Sequence, residues 1–251
     1  SDPRPVSQID MHEIDSLNFV KLDLLGLNAV GLVDGACKLA GIDFLTPDKI
    51  NFSDENVINS IAQDTTLIFQ FESGFASDSL KRTLSKETLA NIKAQNDNIS
   101  YLDIMAMVSG AIRPAGESYR EQLFAGVYND NGNAALNEFL KPTLGYLVYQ
   151  EQIIDFLHEF CGFTMGQADI VRRHFAKKTG TEADIPIIEN GGYMFDIHGD
   201  KDPRYIKGFI AVAQEKYGMT EEEARSAIKS FLIVIADASN YLFSRNHSIP
   251  Y

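Results

Sequence analysis

Apolar residues recur at helical spacing over residues 75–84, 101–112, 149–161, 167–178 and 220–235, and that rhythm constrains the fold more than any other feature. A repeat of about 3.6 residues gives each helix one apolar stripe, and stripes on several helices demand a shared helical core. Helices are also expected at 53–62 and at 27–40, the latter with Val30, Val33 and Cys37 on one face and Gly41 as its terminator. Thr220 and Glu223 have the spacing of a capping box. Pro114 ends the 101–112 helix, because proline disfavours helical geometry in the preceding Arg113. Two stretches look extended instead. In 20–25, Val20, Leu22 and Leu24 face one way and Lys21, Asp23 and Leu25 the other, and 66–71 is strand-like. Residues 179–205, with Pro186, Pro203, Gly191 and Gly192, read as an irregular excursion. Residues 243–248 read as a polar loop and 1–5 as an irregular lead-in. The expected class is mostly α (α+β), with no internal repeat.

At 251 residues the chain holds one large domain or two modest ones. Hydrophobic residues at 45% and charged residues at 23% are an ordinary balance for a soluble protein. No long uncharged apolar run and no basic segment ahead of an apolar core is present, so no transmembrane span, secretory signal or membrane partner is expected. Cys37 and Cys161 lack metal-ligand spacing and read as reduced, buried thiols of a cytoplasmic protein. A net charge of −13 argues against general coating of nucleic acid, and the absence of Trp offers no obvious stacking platform. Neither excludes a focused phosphate site.

One island runs against the acidic background. Arg172, Arg173, Lys177 and Lys178 are four cations, with Asp169 the single acid between Ala168 and Lys178. At about 100° per residue, Arg172, Arg173 and Lys177 share an arc of about 140°. Asp169 lies three and four residues before the arginines, where it can orient both guanidiniums. Val171 and Phe175 point toward a core, and Lys178 falls near that side, where it would snorkel. Paired arginines beside a lysine suit a polyphosphate, because guanidinium N–H groups meet phosphate oxygens in pairs. The same charges also suit a solvated face laced with ion pairs. On the strand at 20–25, Lys21 and Asp23 fit either a metal beside a polyanion or an ion pair on a wet edge. Arg113 sits on a turn, reaching a site or capping helix carbonyls. His247 lies among Ser244, Arg245, Asn246 and Ser248, a hydrogen-bonding loop. Gln150, Glu151 and Gln152 open a helix, where an acid is favoured electrostatically. Residues 196–202 carry spaced acids and read as a polar turn. No Gly-rich phosphate loop, zinc pattern or hydrolase triad occurs.

These segments also carry a resemblance. Lys21-Leu-Asp-Leu-Leu-Gly-Leu27, Ile68-Phe-Gln-Phe-Glu-Ser-Gly74, Ile112-Arg-Pro114, Gly145-Tyr-Leu-Val-Tyr-Gln-Glu-Gln152, Ala168-Asp-Ile-Val-Arg-Arg173 with Lys177 and Lys178, and Phe243-Ser-Arg-Asn-His-Ser248 occur in this order. Together they resemble the α subunit of bacterial DNA polymerase III, the family C replicative polymerases. The matches at Arg113 and at 243–248 are partial, which suggests a divergent branch.

The resemblance implies that residues 1–28 are the last part of a palm, with its short β element, and 29–251 a helical fingers domain, 179–205 being an excursion. It implies that Asp23 is a catalytic carboxylate, one of three that hold two Mg²⁺ ions. Lys21, Arg172, Arg173 and His247 then face the triphosphate of the incoming nucleotide, joined in this reading by Arg113 and Lys177. The implied reaction is DNA-directed DNA synthesis, a primer 3′-hydroxyl attacking the α-phosphate of a dNTP with loss of pyrophosphate. Primer-template DNA, dNTP and other replisome subunits are the implied partners. The family's Pro-Asp-x-Asp pair, expected before Lys21, does not occur in this chain. The expectation is therefore a fragment with part of the nucleotide site and no activity alone, its lone strand displaced or paired elsewhere. The alternative is a non-catalytic, stand-alone relative that keeps the fingers as a phosphate- or protein-binding module.

Overall fold

The computed structural model describes residues 8–10, 13–14, 17, 26–195, 199–239 and 242–249. The chain forms two compact units, residues 1–50 and 51–251. The strand expected at 20–25, with Lys21 and Asp23, lies outside the described residues.

In the first unit, α1 (Asn28–Ala40) ends at Gly41, whose φ of 69° is the left-handed terminator expected there. Of the face expected to be apolar and covered, Cys37 is buried while Val30 and Val33 remain exposed.

The second unit is helical. It runs α2 (Glu55–Gln63), α3 (Gly74–Thr83), α4 (Lys86–Gln95), α5 (Tyr101–Ala111), α6 (Arg120–Phe124), α7 (Ala134–Leu140), α8 (Gln150–Cys161), α9 (Met165–Lys177), α10 (Thr181–Asn190), α11 (Phe209–Tyr217), α12 (Glu221–Ala238) and α13 (Arg245–Ser248). Asp54, Ser73, Ser85, Ser100, Thr164 and Thr220 each accept a backbone N–H in the first turn of the helix that follows. Such caps contribute about 1 kcal/mol each, which is why these helices start where they do. Thr220 and Glu223 form the expected capping box, and α12 runs on to Ala238.

Two apolar clusters fill this unit. One joins α3, α4, α5 and α6 through Leu80, Ile92, Ile104, Met107, Leu123 and Phe124. The other surrounds α8, where the Phe156 ring lies 4.6 Å from Phe231, 5.5 Å from Phe160 and 5.8 Å from Phe209, centroid to centroid. Each fully buried ring stabilises the fold by about 2–3 kcal/mol through area alone. The segment between α7 and α8 is buried too and turns sharply at Gly145 (φ 82°), where a Cβ would stand 1.9 Å from the Asn129 carbonyl oxygen. Only glycine fits that approach, which sets the direction in which α8 begins.

Four local expectations are corrected. Residues 66–71 are not a strand but two consecutive turns, with Leu67 and Gln70 in the left-handed region at φ 66° and 72°. Residues 179–205 are not wholly irregular: 181–190 form α10 with Pro186 inside it, and Gly192 pairs antiparallel with Ile206, as Phe195 does with Lys201. Pro186 is the sixth residue of this ten-residue helix, and its missing N–H forgoes the single bond that would otherwise reach the Glu182 carbonyl. Lys178 does not snorkel on α9; it is the exposed, left-handed residue (φ 54°) that ends the helix. Residues 245–248 form the short α13 rather than a loop. Among the described residues the β content is limited to isolated bridges, the third joining Tyr149 and Phe243 in parallel. No described helix is long and apolar enough to cross a membrane.

Candidate phosphate-binding site

The site is assembled at the start of α8. Gln152 closes that first turn: its Oε1 accepts from the N–H groups of Val148 (2.8 Å) and Tyr149 (2.9 Å), and its Nε2 donates to Thr143 Oγ1 (2.8 Å). The N–H of Gln150 donates to the carbonyl of Phe243 at 3.1 Å. Glu151 accepts from Ser244 Oγ and from the N–H of Arg245 (3.0 Å), tying α13 to α8. The carboxylate expected to serve only the α8 terminus thus also anchors the chain's last helix.

α8 and α9 share the aromatic core, and α9 is opened by the Thr164–Gln167 capping box. Val171 and Phe175 are buried as expected, leaving the opposite face to the basic residues. Asp169 Oδ1 accepts from Arg172 Nε (2.9 Å) and Nη2 (2.8 Å). Asp169 Oδ2 accepts from Arg173 Nε (2.9 Å) and also from its Nη2. One carboxylate therefore holds two guanidiniums, each by a fork of two N–H groups, as the spacing predicts. Burial pushes the Asp169 carboxyl up, but the hydrogen bonds and charges of Arg173 and Arg172 outweigh it and hold the group below its ordinary value. Arg172 also reaches α8, donating from Nη1 to Gln150 Oε1 at 3.2 Å. N–H donors on both guanidiniums remain unspent and can meet an anion. Lys177 stands exposed on the last turn, where the helix dipole favours a cation.

Arg113 is half-buried and does not cap α5 with its side chain. Its Nη2 donates to Gln70 Oε1 at 2.8 Å, and its guanidinium carbon lies 4.4 Å from the centroid of the Phe243 ring. His247 is exposed, its ring 6.0 Å from that of Phe243. A run of contacts from Arg113 through Phe243 and Gln150 to Arg172 thus joins four of the expected residues, Arg113, His247, Arg172 and Arg173, with Lys177 on the same helix. Lys21 and Asp23 lie outside the described residues. Gln70, Gln150 and Phe243 carry contacts that periodicity did not disclose, although all three lie in the segments that carry the resemblance.

Two cavities flank this face without including either arginine of α9. One, of about 440 Å³, is lined by Asp103, Glu138, Lys141, Glu151, Asp155 and Arg245 among others; the second, of about 570 Å³, lies beside Ile170, His174 and Met194. Neither cavity encloses the basic face. Among the described residues no group of three or more His, Cys, Asp or Glu side chains could hold a metal ion.

Residues 100–185, which span α5 to α9 and enter α10, match the family model described as the bacterial DNA polymerase III alpha subunit finger domain. The chain is 27% identical over 261 residues to the DNA polymerase III subunit alpha of Caulobacter vibrioides, an alignment covering 100% of this chain and 19% of that protein. It is 29% identical over 258 residues to the DNA polymerase III subunit alpha of Deinococcus radiodurans, covering 98% of this chain and 17% of the relative. For that of Ureaplasma parvum the identity is 30% over 186 residues, 70% of this chain and 17% of the relative. The chain is thus related, essentially end to end, to the α subunit of bacterial DNA polymerase III, and it spans about a fifth of the length of these curated relatives.

Proposed function

We propose that this chain is part of a DNA-directed DNA polymerase, a nucleotidyltransferase of DNA replication, and that its basic face takes the triphosphate of the incoming dNTP. Residues 1–28 are the end of the palm and 29–251 the fingers. Arg172 and Arg173, both bonded to Asp169, offer paired donors to phosphate oxygens; Lys177, Arg113 and His247 extend the binding face, and Lys21 is the further residue this reading assigns to the triphosphate. When a primer 3′-hydroxyl attacks the α-phosphate, negative charge accumulates on the departing pyrophosphate. Preorganised guanidiniums lower the barrier because they need not reorient at that moment. Primer-template DNA, dNTP and further replisome subunits are the partners, and the cytoplasm is the compartment.

Mg²⁺ is the metal this reading calls for, and Asp23 is the residue that would help to hold it. The residues present do not complete such a site: Asp23 offers a single carboxylate, and no further ligand cluster occurs among the described residues. The contribution of this chain to the chemistry is positive charge and its orientation, with no polymerisation by the isolated 251 residues.

The observation that carries the proposal is the double fork of Asp169 with Arg172 and Arg173, tied to α8 through Gln150. It is tested by titrating dNTP into the chain at several salt concentrations. Arg172→Ala and Arg173→Ala should each weaken binding about tenfold and flatten the salt dependence. Unchanged affinity and slope in both variants would refute the assignment.

A further inference from the structure

Ahead of α3, two non-glycine residues adopt the left-handed conformation, Leu67 (φ 66°) and Gln70 (φ 72°). Each is the third residue of a four-residue turn: the N–H of Ile68 donates to the Thr65 carbonyl and that of Phe71 to the Ile68 carbonyl, both at 3.0 Å. Glycine or asparagine is favoured at that position of a type II turn, because a larger side chain crowds the following carbonyl. The two residues differ in what their side chains do. Leu67 is 71% exposed. Gln70 is half-buried, and its Oε1 accepts the 2.8 Å hydrogen bond from Arg113 Nη2.

That bond governs where a guanidinium points. Arg113 lies across the Phe243 ring at 4.4 Å, and its Nε is buried without a hydrogen-bond partner, so Gln70 is the acceptor that fixes its rotation. Phe243 in turn accepts from the N–H of Gln150, whose side chain accepts from Arg172. A strained residue retained where glycine would relax the chain, with its side chain spent on one arginine, is a mark of function rather than of folding.

We propose that Gln70 is a positioning residue for the phosphate site, holding the Arg113 guanidinium over Phe243 so that a third arginine joins Arg172 and Arg173 in binding a polyphosphate. This rests on the phosphate-site reading given above and adds to it a residue that touches no ligand itself.

The test uses the whole 251-residue chain and inorganic tripolyphosphate as the probe, followed by calorimetry. Gln70→Gly removes the side chain and relaxes the turn, so the thermal midpoint should stay level or rise while affinity falls about three- to tenfold. Leu67→Gly relaxes its own turn in the same way and should leave affinity unchanged. Arg113→Ala should weaken binding, and adding Gln70→Gly to it should weaken binding no further, because the two residues act as one. Wild-type affinity in Gln70→Gly, additive losses in the double variant, or a lowered midpoint in Gln70→Gly would each overturn the proposal. The double variant Arg172→Ala with Arg173→Ala separates it from the reading beneath it. Should that variant lose affinity while Gln70→Gly does not, the role of Gln70 alone fails. Should it bind as well as the unsubstituted chain, or should that chain bind no tripolyphosphate, the phosphate site fails and the role of Gln70 with it.

Discussion

Replacing Asp169 by Asn keeps the shape of the side chain and nearly the same helix propensity, so it isolates the charge that holds the two arginines. The Arg172 pair is the better sheltered, with side chains 20% and 29% exposed, and its two charge-assisted hydrogen bonds contribute about 1–1.5 kcal/mol net. Arg173 is 58% exposed, and solvent screening leaves its pair only about 0.3–0.5 kcal/mol. Asn retains one neutral acceptor, so Asp169→Asn should lower stability by about 1–1.5 kcal/mol at neutral pH. With a urea slope of about 2–3 kcal/mol/M, the midpoint falls by about 0.5 M. The chain has no Trp, so unfolding is followed by the helical circular-dichroism signal. The sign with pH is fixed by the depressed carboxyl of Asp169. Its contribution is fully present above the unfolded-state pKa of about 4 and is lost as pH falls through the lower folded-state value. The two proteins should therefore converge in acid. Equal midpoints at neutral pH, or a gap that persists in acid, would refute the reasoning.

Gly145→Ala would drive a Cβ to 1.9 Å from the Asn129 carbonyl oxygen at a φ of 82°; a loss of more than about 3 kcal/mol is expected by urea unfolding. Thr220→Ala removes the capping acceptor of α12 and should cost about 1 kcal/mol, with faster amide exchange confined to its first turn. Cys161 is fully buried and its thiol is pushed well above the ordinary range by that burial. It should resist iodoacetamide in the folded chain and react only at the rate of unfolding, read by mass spectrometry.

How much of this was legible in sequence depends on the physics of each element. The Thr220–Glu223 box, Gly41 and the Asp169 fork are local patterns, settled within one helical turn, and they stand in the structure as read. The strand-like 66–71 segment forms turns because a short run of apolar residues does not report the sign of φ, and nothing in Leu67 or Gln70 announces a left-handed backbone. Pro186 suggested irregularity across 179–205, yet α10 accommodates it in mid-helix. The links from Arg113 to Gln70 and Phe243 span 43 and 130 residues of sequence, and tertiary contacts of that kind leave no periodic trace.

The central claim concerns where the phosphates lie, and a crystal structure of this chain with a bound nucleoside triphosphate addresses it most directly. The account predicts phosphate oxygens within about 3 Å of guanidinium nitrogens of both Arg172 and Arg173, with Asp169 still bonded to each. Phosphates bound elsewhere, such as beside Lys141 and Arg245 in the neighbouring cavity, with the α9 arginines untouched, would contradict it.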